Sequence, residues 1–240
     1  MTATFGRAQH PQSGVYWWGD KPFTAVTSVL GAISKPALAP AAAKEVSLYV
    51  NENWDILAQL EPSARHNLMK GAASRKWGQA AQTGSEVHHA VSTLLEEDGG
   101  FPGHLLMFEK AWFEFLQTHE IAVEYNEVTV YNRKCGYAGT LDIIADVDGV
   151  CTLIDIKTGG VWPDAALQVN AYANAEFIGL NGKEVEMPKV EQLAILQLTS
   201  EGTHNLIPVC YDADVFRYFR HVIEVYRWTK KPQTDIFTKE

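Results

Sequence analysis

The sequence predicts an α/β protein in which a mixed β-sheet is flanked by helices, as in restriction-endonuclease-like cores, with a helical N-terminal part. Helix-like patterns dominate the chain up to residue 118, whereas residues 121–157 carry β-branched and aromatic residues at strand spacing. Helix and strand patterns then alternate to the C-terminus. Hydrophobic residues make up 46% of the 240, enough for a sizeable core. We therefore expect one domain over 1–240, with a helical part at 1–75, a core at 76–232 and a flexible tail at 233–240.

The N-terminal third is expected to be loop followed by helices. The first twenty residues are rich in Gly, Pro and polar groups, which is typical of a loosely held extension. The text from Pro22 to Leu60 is predicted to be mostly helical. Further helices are predicted at 62–71, 75–98 and 102–118.

The remainder is expected to supply the sheet. Three strands are predicted at 121–132, 137–147 and 149–158, followed by a helix at 163–178 that has Pro163 in its first turn. Two late strands are predicted at 192–198 and 204–211, and a last helix, capped by Asp212 or Asp214, runs to about Trp228.

Charge and cysteine content narrow the class of protein. The formal net charge of −9 argues against a nucleic-acid partner, but screening lets a local basic groove outweigh the total. Three scattered cysteines fit free thiols in a reducing compartment. No apolar run suits a membrane helix and the N-terminus lacks a secretory pattern, so we expect a cytoplasmic protein with no membrane partner.

Acidic residues interrupt the apolar strands at 137–157. Asp148-Gly149 is a strong hairpin signal, and a two-residue loop there pairs residues whose numbers sum to 297. Asp142 is then opposite Asp155. At an effective dielectric near 20, two charges 4 Å apart repel by about 4 kcal/mol, so a shared proton, a nearby cation or a bound metal must offset the repulsion.

The same register predicts which side chains share a face of the hairpin. Thr140, Asp142, Asp155 and Lys157 are expected on one face, and Leu141, Ile143, Ile154 and Ile156 on the other. Two carboxylates from adjacent strands suit Mg²⁺ or Mn²⁺. The alternative is an ordinary solvated strand face, and the residue pattern alone leaves both open.

Four short motifs in order resemble the PD-(D/E)XK nuclease superfamily, specifically its RecB-like exonuclease branch, which includes CRISPR-associated and bacteriophage nucleases. The motifs span residues 84–172: "GSEVH" ends at His88, "GTLD" at Asp142, "DIK" holds Asp155 and Lys157, and "QVNAY" runs from Gln168 to Tyr172. Each motif is weak singly, and together they are specific.

The resemblance implies a role for each motif residue. His88, Asp142, Asp155 and the backbone carbonyl of Ile156 would ligate one or two Mg²⁺ or Mn²⁺ ions, and Lys157 would activate water or stabilise the transition state. Glu127 is our choice for a further catalytic acid, with Glu124 as the alternative. Gln168 and Tyr172 would bind the DNA backbone of the substrate or brace the active-site strand, and Trp162 would bind substrate if it stacks on an unpaired base.

The implied function is a metal-dependent exonuclease acting on linear or single-stranded DNA in recombination, repair or replication. Protein partners are not indicated. Some relatives hold a four-cysteine iron–sulfur cluster, which three scattered cysteines cannot ligate, so no Fe–S cluster is expected. The alternatives are a catalytically inactive nuclease-like module that binds DNA or protein, and a sequence-specific endonuclease.

Overall fold

A computed structural model describes residues 6–7, 14–96 and 99–236. Residue contacts divide the chain into two compact units. The first contains the described parts of Met1–Ile33 and Val87–Glu240, and the second is Ser34–Glu86. The boundary predicted from the sequence lies near residue 75 instead, and a single domain over 1–240 stays a prediction.

The first unit is α/β, with a mixed and mostly antiparallel sheet flanked by helices, as predicted. Its described strands are β1 Gly6–Arg7, β2 Val15–Trp18, β3 Lys21–Ala25, β4 Ile121–Asn132, β5 Tyr137–Val147, β6 Val150–Lys157, β7 Phe177–Leu180, β8 Lys183–Glu186, β9 Gln192–Leu198 and β10 His204–Val209. The strand order β1-β2-β3-β5-β4-β7-β8 branches at β5, which also pairs with β6. Strand β6 pairs in turn with β9, and β9 pairs with β10. Only β3–β5 and β6–β9 are parallel among the described pairs.

Helices cover both faces of this sheet. The α-helices of the described residues are α1 Val26–Leu30, α2 Leu38–Glu52, α3 Trp54–Ala58, α4 Pro62–Lys70, α5 Ala72–Glu96, α6 Leu106–Thr118, α7 Pro163–Ala173 and α8 Ala213–Thr229. One apolar cluster joins α1, α7 and α8 to one sheet face, and a second joins α6 and the end of α5 to the other. Burial of apolar side chains in these two layers is the main stabilising contribution.

The second unit is helical, as expected for this part of the chain. It contains α2, α3, α4 and the first part of α5. Within it Lys76 forms an ion pair with Glu45, and the Arg75 guanidinium lies over the Tyr49 ring. In the described chain no helix has the length and apolar character needed to cross a membrane.

The N-terminal hairpin corrects the sequence analysis. We expected loop to about residue 20 and helix from Pro22, but Val15–Trp18 and Lys21–Ala25 are antiparallel strands, and helix begins only at Val26. Tyr16 and Phe23 pack with buried residues of the main sheet, and β3 pairs in parallel with β5. This partner lies more than 100 residues away in the chain, so local composition did not reveal it.

A second hairpin was also missed. The predicted helix at 163–178 ends at Ala173, and β7 and β8 follow as an antiparallel pair. Asn181 and Gly182 form the turn with φ values of 50° and 74°, and Asn-Gly is a recognised hairpin signal that the sequence analysis overlooked. At the C-terminus Gln233–Asp235 form a 3₁₀ turn, whereas residues 237–240 of the predicted tail lie outside the described residues.

Candidate active site

The predicted β5–β6 hairpin is present with the predicted register. Asp148 and Gly149 occupy the turn with φ values of 52° and 87°, and the pairs run from Val147 with Val150 to Ile143 with Ile154. Every pair sums to 297. The ladder ends at that last pair, however, one position before Asp142 would face Asp155.

The two strands separate where the acids lie. Beyond Ile154, β6 continues beside β9, with Asp155 beside Ile195. Along the same edge of β5, β3 pairs with Tyr137 and Ala138, so residues 139–142 lie between the two partner strands. Asp142 Oδ2 accepts a hydrogen bond from the Ile156 N–H at 2.6 Å. A carboxylate therefore takes the place of a backbone acceptor at this fork.

The predicted faces are correct for β6 but wrong for β5. Ile143 packs with Ile154 and Ile156 on the α5–α6 side, whereas Leu141 packs on the α7–α8 side. Side-chain alternation therefore breaks at Asp142. β4 is distorted at the matching position, where Glu127, between the paired residues Asn126 and Val128, has a φ of 50°.

Three potential ligands converge on the α5 side of this fork. His88 Nδ1 lies 3.3 Å from Asp142 Oδ1 and 3.8 Å from Glu127 Oε1, and one ligand atom from each of the three side chains falls within 4.8 Å of the others. Burial disfavours a charged imidazole. Contacts with Asp142 and Glu127 nevertheless outweigh burial and raise the pKa of His88 to about 10.

Asp155 is the most deeply buried acid of the site, at 1% exposure. Burial and the nearby Asp142 charge raise the pKa of Asp155, against the opposing effect of Lys157. Lys157 Nζ lies 2.5 Å from Asp155 Oδ2 as an ion pair, while Gln168 Nε2 donates to Oδ1 at 2.9 Å. Asp155 Oδ2 is buried, and the Lys157 ammonium is its cationic partner.

The predicted residues of α7 hold Asp155 in place. Gln168 also donates to the Tyr172 hydroxyl at 3.1 Å and accepts from Lys157 Nζ at 3.4 Å. Tyr172 is 2% exposed, and its ring packs on β5 at Gly139. Tyr172 therefore contacts other residues of the site and supports Gln168 through its hydroxyl.

Other predicted site residues differ in their placement. Trp162 is 59% exposed immediately before α7. Ile156 contacts the site through its N–H, and the metal-binding role of its carbonyl stays a prediction. Glu124, the alternative to Glu127, lies at a bulge of β4 and interacts with Tyr125. The cluster around His88 thus contains Glu127.

Tyr16 is a neighbour of the site that the sequence analysis did not identify. Its hydroxyl lies 3.2 Å from Thr140 Oγ1, in the stretch of β5 between the two partner strands. The tyrosine lies on β2 of the N-terminal hairpin. Only the aromatic run "YWW" at residues 16–18 hinted that this segment packs on something.

Gly139 explains the glycine of the "GTLD" motif. A Cβ at this position would lie 2.5 Å from the Tyr172 ring, which is buried and cannot swing away. We expect Gly139→Ala to destabilise the fold by about 1–3 kcal/mol, the usual cost of overpacking, measured as the free energy of unfolding in urea. Gly159→Ala is the matched control because a Cβ there meets nothing within 4 Å. Equal stability of the two variants would contradict the assigned packing.

No protein-family model matches this chain, and comparison with curated proteins finds no match.

Proposed function

We propose that this protein is a divalent-metal-dependent deoxyribonuclease, most simply an exonuclease acting on linear or single-stranded DNA. The observation that supports the proposal best is the convergence of His88, Glu127 and Asp142 within 4.8 Å at the strand fork. The Asp155–Lys157 ion pair lies on the neighbouring strand. The motif resemblance suggests the same function.

The donor set fits Mg²⁺ or Mn²⁺. Carboxylate oxygens are the preferred ligands of both ions, and an imidazole nitrogen favours Mn²⁺. The buried carboxylate of Asp155, which is paired with Lys157, would be a further oxygen ligand, as the motif resemblance implies. When bound, such an ion would polarise a phosphodiester and provide a nucleophilic hydroxide at neutral pH.

The site needs a cation before it can accept a phosphodiester. Three carboxylates, those of Glu127, Asp142 and Asp155, face two basic groups, His88 and Lys157. His88 must lose its proton to act as a ligand, which removes one positive charge from this balance. A bound divalent cation would therefore supply the positive charge that the site offers to a phosphodiester.

The protein's own residues have distinct roles in this proposal. His88, Glu127 and Asp142 hold the cation, and the Ile156 N–H orients the Asp142 carboxylate. Lys157 offers an ammonium to the charge that develops on the phosphate oxygens. Gln168 and Tyr172 are positioning residues that act through Asp155.

The proposal is tested with end-labelled linear single-stranded and duplex DNA and with covalently closed single-stranded circles. Each is incubated with Mn²⁺, Mg²⁺ or EDTA. We expect nucleotides or short oligonucleotides from linear DNA with metal, and intact circles. Cutting of circles would indicate an endonuclease. Absence of cleavage on every substrate would leave only a non-catalytic binding module. Blocking either the 5′ or the 3′ end establishes polarity.

A further inference from the structure

Residues 62–85 form a segment of unusual charge, here called the basic helical segment. It comprises α4 and the first part of α5. It contains four of the chain's 20 lysines and arginines, namely Arg65, Lys70, Arg75 and Lys76, and none of its 29 acidic residues. In a chain of net charge −9 this is a concentration of positive charge. The segment lies wholly within the second unit, Ser34–Glu86.

The basic helical segment is also unusually exposed. Residues 74–82 of α5 are nine consecutive exposed residues, although a helix of a globular unit normally buries one face. Trp77 is 38% exposed among them. Gly78 lies in the helix interior, where glycine is unfavourable, and a Cβ there would meet nothing within 4 Å. Packing within the chain therefore does not account for the glycine.

We propose that the basic helical segment binds a single-stranded nucleic acid. Lys70 and Lys76 would contact the phosphate backbone, Trp77 would stack on an unpaired base, and Gly78 would let the strand approach the helix closely. Charge complementarity selects an anionic partner. The exposed indole favours unpaired bases, whose faces are accessible, over duplex DNA.

Two of the four cations also have contacts within the second unit. Arg75 donates to the Leu68 carbonyl and lies over the Tyr49 ring, so its replacement would disturb the unit. Lys76 pairs with Glu45, but its side chain is 61% exposed. Lys70 is exposed. Lys70 and Lys76 are therefore the residues to change.

The proposal extends the proposed function to substrate capture, and binding is measured in EDTA so that cleavage plays no part. The probe is a labelled oligothymidine of about 30 nucleotides, long enough for more than one site. Lys70→Gln/Lys76→Gln should weaken binding about tenfold and lower the slope of log affinity against log salt by about 1 to 1.5. Lys183→Gln/Lys189→Gln, which removes two exposed lysines from the first unit, should bind like the unchanged protein.

Trp77→Leu separates stacking from charge. It should weaken oligothymidine binding at least about fivefold, the loss of one base–aromatic stack, while hardly changing the affinity for duplex. If the Lys70→Gln/Lys76→Gln and Lys183→Gln/Lys189→Gln proteins bound oligothymidine with equal affinity, the proposal would be overturned. So would competition by polyglutamate of matched charge as effective as that by unlabelled oligothymidine, which would point to an acidic protein partner. If a variant of the basic helical segment loses oligothymidine binding but keeps nuclease activity, the proposed function still stands.

Discussion

Asp142→Asn should lower metal-dependent cleavage of linear DNA by about 10³-fold or more, while the fold is retained. The change removes one carboxylate of the His88–Glu127–Asp142 cluster. The asparagine carbonyl can still accept the Ile156 N–H that Asp142 Oδ2 now accepts at 2.6 Å. Mn²⁺ affinity, measured by titration calorimetry without DNA, should fall about a hundredfold or more, because even an outer-shell partner is worth about 10–100-fold.

Asp142→Ala supplies the matched comparison. It removes the same ligand but also leaves the buried Ile156 N–H without its acceptor, which costs about 1–3 kcal/mol. Both variants should therefore be inactive, with the alanine variant less stable than the asparagine variant by that amount in urea unfolding. An Asp142→Asn protein that digests DNA at the normal rate would exclude this site as the nuclease centre. Equal stability of the two variants would instead contradict the structural role of Asp142.

Local signals were sufficient to predict the centre of the sheet. The Asp148-Gly149 turn demands positive φ, and that requirement led to the correct pairing from Val147–Val150 to Ile143–Ile154. The separation of the strands beyond that pair was not predictable from local signals. At the point of separation the Asp142 side chain replaces a backbone acceptor for the Ile156 N–H, and this contact depends on the tertiary structure.

The site residues differ in what made them predictable. The acids of β5 and β6 stand out because charge interrupts apolar strands. The contact of Gln168 with Asp155 fits a bracing role, and its substrate-binding role stays a prediction. His88 has no such local signal, since a histidine on a helix is common, and only the motif order identified it. Tyr16 required knowledge that a short N-terminal hairpin pairs with β5. Long-range strand pairing of this kind leaves little trace in local sequence.

Lys157→Met should lower cleavage to a similar degree, again about 10³-fold or more, but Mn²⁺ binding measured without DNA should be retained, because the His88–Glu127–Asp142 cluster is unchanged. The ammonium is the cation nearest to buried Asp155 and opposes the rise in that carboxyl's pKa. Without it the pKa of Asp155 must rise further, because burial and Asp142 then act unopposed. Protonation of Asp155 would therefore persist to higher pH, whereas the His88 cluster would be unaltered.

The same change should alter how stability depends on pH. A carboxyl whose pKa is higher in the folded state makes the folded protein bind more protons, so stability is greatest below the unfolded pKa and falls as pH rises through the folded pKa. In EDTA, Lys157→Met should therefore lose more unfolding free energy between pH 6 and pH 8 than the unchanged protein, by roughly 1–2 kcal/mol. Lys157→Met/Asp155→Asn, which removes the titrating acid, should abolish that extra loss. Identical pH profiles for the unchanged protein and Lys157→Met would show that Lys157 does not control the ionisation of Asp155.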